Sequence, residues 1–192
     1  MPLKTYQAIQ VVKDLLKTNM DIFDPLYIKE IYGNPERILS GEGHITFCYP
    51  KRISPNTIDG FRLKGNKGFI SISETYRYTS SQSNDEVELV GYVYRYITSE
   101  MTYSCNYSNS GLKKKDGIPY SFHYDWDFKF KPDNSHQSIT HPDKHLQVIH
   151  PHPRFKTETM TVEDFLMLIK TMAFNKKGKP IPKPFFDFPI SI

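Results

Sequence analysis

The sequence predicts a single α+β domain, an antiparallel sheet flanked by an N-terminal and a C-terminal helix. Two features predict it. Apolar residues recur at three- and four-residue spacing near Ala8 and again near Phe165, whereas long stretches between them alternate apolar and polar residues with period two. No internal repeat or break in composition divides the chain before residue 175.

The first helix is expected over Thr5 to Lys17, where Ala8, Ile9, Val12, Leu15 and Leu16 form one stripe and Asn19 ends it. Pro25 to Tyr32 reads as a short second helix, with the proline in its first turn and Gly33 past its end. Ile45 to Tyr49 and Ile58 to Leu63 are strand candidates, and Gly60, Gly65 and Gly68 supply turns. Phe69 to Thr79 places Ile70, Ile72, Tyr76 and Tyr78 on one face. After a polar turn, Glu86 to Ser99 sets Tyr92, Tyr94 and Tyr96 against Val93, Arg95 and Ile97, so the two runs predict an antiparallel hairpin. Thr102 to Gly117 reads as an exposed loop carrying Lys113, Lys114 and Lys115, with an irregular strand at Met101 to Tyr107.

Tyr120 to Phe130 has the most regular alternation in the chain. Tyr120, Phe122, Tyr124, Trp126, Phe128 and Phe130 make an aromatic face, while His123, Asp125 and Asp127 lie on a polar one; this run is expected to be the central core strand. The last helix opens at Thr161, with Asp164 completing a capping box, and carries Val162, Phe165, Leu166, Ile169 and Met172. The domain is expected to span residues 1–174. Residues 175–192 then form a basic, proline-rich arm that ends in Phe185, Phe186, Phe188 and Ile190, suited to folding back on the domain or joining copies into a homo-oligomer.

Composition narrows the function classes. A net charge of +4 and a pI near 8.9 permit an acidic partner such as nucleic acid without demanding one. Two cysteines, Cys48 and Cys105, are too few for a disulfide scaffold, and no run reaches the ~18 apolar residues of a membrane span, so a cytoplasmic protein without membrane contact is expected. The chain lacks a G-x-S-x-G elbow and a phosphate-binding P-loop.

Six of the seven histidines lie between His123 and His152, His123 on the strand expected over Tyr120 to Phe130 and the others in the loop expected to follow it to His152. Imidazole is the side chain that titrates near neutrality without help, so this cluster suits general acid–base chemistry. Metal binding is a weaker reading. His141 and His145 are four apart, His150 and His152 two apart, and Asp125 and Asp127 share a face with His123, a donor set suited to zinc or manganese. No H-E-x-x-H or Cys-rich signature is present, however, and prolines at 142, 151 and 153 break a helical ligand pair, so no metal or other cofactor is expected. Cleavage of RNA fits these residue types, because the 2′-hydroxyl is a nucleophile already within the substrate. The enzyme then supplies a base, an acid and a cation. His123, His136, His141 and His145 are candidates for the first two. Lys144 or Arg154 is a candidate for the third, and Arg154, with Lys113, Lys114 and Lys115, for holding phosphates.

The order of an aromatic strand (YSFHYDWDFKF), PDNSH, HPDKH and a helix opening TVEDFL, over about residues 120–167, resembles the TumE-like toxins of bacterial toxin–antitoxin modules. Asp133, Asn134 and His136 look like that family's D-N-x-x-H element, and His141, Lys144 and His145 like its H-x-K-H element. The resemblance implies a toxin acting on RNA and a cognate antitoxin as partner. The competing readings are a non-enzymatic interaction or oligomer-forming module, built on the aromatic strands and the 175–192 arm, and a metal-dependent hydrolase.

Overall fold

The computed structural model describes residues 3–40, 43–51, 60–79, 85–97, 121–126, 144–148 and 154–174. They form an α+β domain with a mainly antiparallel sheet and helices at its N- and C-terminal ends. The strands are β1 (Leu3–Lys4), β2 (Glu36–Ser40), β3 (His44–Tyr49), β4 (Phe61–Arg62), β5 (Phe69–Tyr78), β6 (Glu86–Ile97), β7 (Ser121–Trp126), β8 (Lys144–Val148) and β9 (Arg154–Lys156); the helices are α1 (Thr5–Thr18), α2 (Ile28–Tyr32) and α3 (Val162–Ala173). The main path of the sheet runs β2-β3-β5-β6-β7-β8-β9. Short β1 pairs with the start of β6 at Val87, and short β4 pairs with the start of β5. No described helix is long and apolar enough to cross a membrane.

The local signals that mark the helix ends are realised. Asn19 closes α1 by donating both its backbone N–H and its side-chain amide to the carbonyl of Leu15, at 3.2 and 2.9 Å. Asp24 accepts from the Leu26 N–H at 3.0 Å and starts the turn that leads through Pro25 into α2. At α3 the Thr161 hydroxyl accepts from the Asp164 N–H at 3.1 Å while the Asp164 carboxylate accepts back from Thr161.

The expected hairpin is β5–β6, the longest pairing in the sheet, and it contains a bulge. Thr75 faces Gly91 but Tyr76 faces Leu89, so Val90 has no partner across the pair. The extra residue changes the parity of β6. Val87 and Leu89 before it, and Tyr92, Tyr94 and Tyr96 after it, therefore all turn to the helix-covered face. Ile45 and Phe47 of β3, Ile70 and Ile72 of β5, and Phe122 of β7 join them, beneath Ala8, Val12 and Leu16 of α1 and Phe165, Leu166 and Ile169 of α3. Tyr92 and Tyr94 stack at 4.6 Å, and Phe165 meets Tyr94 at 5.6 Å and Phe122 at 6.4 Å between ring centres.

Three sequence expectations shift. The central place on the path belongs to β6, with β7 beside it. Edge strand β2 and the short β1 and β9 form without a strong sequence signal, because so few residues show no periodicity, and Lys144 and His145, expected in a loop, lie on β8, whose five residues pair with β7. Of the expected 58–63 strand, Phe61–Arg62 is strand and Leu63 forms an isolated bridge with Phe23, while 58–59 lie outside the described residues. The 101–107 strand, residues 127–130 and the 175–192 arm lie outside the described residues.

Phe165 is fully buried at the junction of α3 with β6 and β7. Phe165→Ala is expected to cost about 3–5 kcal/mol in urea unfolding, whereas Met167→Ala on the exposed side of the same helix should stay within about 0.5 kcal/mol.

Candidate functional site

Pairing of β6, β7, β8 and β9 lays the sheet face opposite the helices out in cross-strand rows. One row runs Arg95, His123, Gln147, Arg154, and the next runs Val93, Asp125, His145, Lys156. Directly paired residues hold their Cβ atoms roughly 4.5–5.5 Å apart, and residues two apart on one strand share a face. His123 and Asp125 thus lie side by side on β7, with His145 facing Asp125 from β8.

The side chains converge. One potential ligand or proton-exchanging atom from each of His123, Asp125 and His145 lies within 4.8 Å of the other two. The imidazole rings sit 6.2 Å apart at an interplanar angle of 68°. His145 is buried at 1% exposure and Gln147 beside it at 3%, while His123 and Asp125 are half-buried, so the cluster has a sheltered side and an open side. Cationic positions flank it: Arg95 pairs with His123, and exposed Lys156 pairs with His145.

Of the residues singled out in the sequence, His123 and His145 are brought together, and Asp125, named there beside His123 as part of a histidine–carboxylate set, joins them. Lys144 points the other way. It pairs with Trp126 on the helix-side face, its ammonium lies 4.5 Å from the centre of the Trp126 ring, and it donates to the Thr159 hydroxyl at 2.7 Å. The backbone of Arg154 stands opposite Gln147 in β9. His136, His141, Asp133, Asn134, Lys113, Lys114 and Lys115 lie outside the described residues.

A second polar cluster, on the helix-side face, escaped the sequence reading. Glu74 takes an apolar position in β5 between Ile72 and Tyr76, and its two carboxylate oxygens accept from the Tyr76 and Tyr94 hydroxyls at 2.6 and 2.8 Å. Burial raises its pKa above the ordinary carboxyl value, outweighing the two tyrosine hydrogen bonds. Burial, then the adjoining Glu74, pushes up Tyr76 and Tyr94, and burial alone pushes Tyr96 up to about 12. The signal was available: a carboxylate between apolar residues on one face of a strand has to find donors in the core. The group borders a cavity of about 610 Å³ under α1, walled by Val12, Leu15, Leu89 and Met160.

No family model matches the chain, and no curated protein or solved structure matches it. The likeness to TumE-like toxins therefore stands on the short motifs alone.

Two predictions follow from these placements. Because the pKa of Glu74 is raised in the fold, its contribution is complete below the unfolded value of 4.5 and is lost as pH rises toward the folded value. Glu74→Gln removes this titration, so the variant should gain on the wild type in urea midpoints as pH rises above the unfolded value of 4.5; a pH-independent difference would refute the shift. Lys144→Ala should lower stability by about 0.5–1 kcal/mol through loss of the contact with Trp126, measured by the same unfolding assay.

Proposed function

We propose that this protein acts on RNA at the face formed by β7, β8 and β9, cleaving the phosphodiester backbone. The observation that carries the reading is the convergence of His123, Asp125 and His145 within 4.8 Å, between the cationic positions Arg95 and Lys156. Mild positive charge overall and the motif order shared with TumE-like toxins support it, and they extend it to a growth-inhibiting role restrained by an antitoxin.

RNA cleavage needs deprotonation of the 2′-hydroxyl, protonation of the departing oxygen and stabilisation of charge on the phosphate. The cluster can serve these needs by two routes. In the first, the imidazoles exchange protons with the substrate and Asp125 orients one of them, as in other histidine–carboxylate pairs. In the second, the three side chains would hold a divalent ion, which would supply activation of the attacking oxygen. The spacing of the three donor atoms and the burial of His145, which keeps it from direct contact with a polymer, favour the second. Arg95 and Lys156 are suited to the phosphates on either side of the scissile bond in both routes.

Purified protein incubated with total RNA should degrade it, and His123→Ala or Asp125→Ala should slow degradation by roughly 100-fold or more. Equal rates for the wild type and both variants, or no degradation by any of them, would refute the reading.

A further inference from the structure

We infer that His123, Asp125 and His145 form a binding site for one divalent transition-metal ion of the zinc type, with at least one coordination position left open. The argument starts from the donor set. Two imidazole nitrogens and one carboxylate oxygen match zinc and its first-row neighbours, whereas calcium and magnesium take shells of oxygen. Three protein ligands with the fourth position open to water or substrate are the arrangement of catalytic rather than structural zinc sites.

The geometry agrees. When no two of the three donor atoms are more than 4.8 Å apart, a central point exists within about 2.8 Å of all three. Zinc bonds to nitrogen and oxygen are ~2.0–2.2 Å, so closing onto the ion needs side-chain movements of under about 1 Å. Two paired strands hold the ligands, and β8 is fastened on its other face by Lys144 against Trp126. The backbone is therefore set before any ion arrives. His145 supplies the sheltered ligand, and half-buried His123 and Asp125 leave the open position facing outward.

Metal-ligand pairs are sought in sequence at short fixed spacings, and His123 and His145 lie 22 positions apart, joined by strand pairing. That is why the ligand set is absent from the linear pattern. The ion would polarise a phosphate oxygen and lower the pKa of a coordinated oxygen nucleophile at the RNA-acting site proposed above. Binding itself does not rest on that reading.

The test is zinc titration of the full chain, stripped with chelator, against a chromophoric competitor, together with cobalt(II) absorption spectra. One ion per chain is expected, with micromolar or tighter affinity and intense d–d bands of low-coordinate cobalt. Asp125→Asn should weaken zinc at least about 10-fold and His123→Ala about 100-fold, and each should alter the cobalt bands. The other five histidines stay in His123→Ala along with His145, so residual binding measures what the remaining side chains hold. Substoichiometric zinc, variants that bind as the wild type does, absent cobalt bands or preferential magnesium binding would each overturn the site. Because the readout contains no RNA, zinc held at this site by a protein that leaves RNA intact would remove the RNA reading alone.

Discussion

The unpartnered Val90 in β6 is the constraint on which the rest of the structure depends. Strand side chains alternate strictly, so in an unbulged β6 Val87 and Leu89 would share a face with Val93 and Arg95, and the tyrosines would point away from the helices. One extra residue reverses the parity midway. Both halves of the strand then contribute to one core, and Arg95 and Val93 are delivered to the opposite face, where β7 and β8 continue their rows with His123, Asp125 and His145. The core and the candidate site are two sides of the same pairing.

The core itself is aromatic rather than aliphatic at its centre, and this has a polar cost. Tyrosines in a buried face bring hydroxyls that need partners. Tyr92 accepts from the Met160 N–H, Tyr96 donates to the Lys67 carbonyl, and Tyr76 and Tyr94 share the carboxyl of Glu74. Glu74 is thus explained as the acceptor that lets two tyrosines be buried, and its raised pKa is the consequence of its burial.

Much of this was legible in the residues. The stripes of α1 and α3, the stop at Asn19, the capping box at Thr161 and the β5–β6 hairpin all follow from local periodicity and turn chemistry, and the structure has them where the pattern put them. The faces of β7 were legible for the same reason. What local pattern cannot carry is register between strands far apart in the chain. Asp125 facing His145 is a property of β7–β8 pairing, and a shift of one residue would set Asp125 against a neighbour of opposite orientation. Lys144 and His145 belong to one H-x-K-H element in the sequence, yet adjacent residues on a strand place their side chains on opposite faces. The bulge did leave a mark, since the apolar alternation changes parity between Leu89 and Tyr92 beside Gly91, but the strand was read through it as one regular run.

That alternation also shapes how such a protein can change over generations. His123 and Asp125 are interleaved with Phe122, Tyr124 and Trp126, and His145 sits between Lys144 and Leu146. Replacing a half-buried residue of the helix-free face, such as His123 or Asp125, leaves its neighbours in the core undisturbed, so the open side of that face can change one side chain at a time while buried His145 and Gln147 are held more tightly. Gaining or losing a residue inside either strand would turn core and site inside out together. Variation in a lineage carrying this scaffold should accordingly be rich in substitutions and poor in insertions within 121–126 and 144–148, with changes of length confined to the connections between strands.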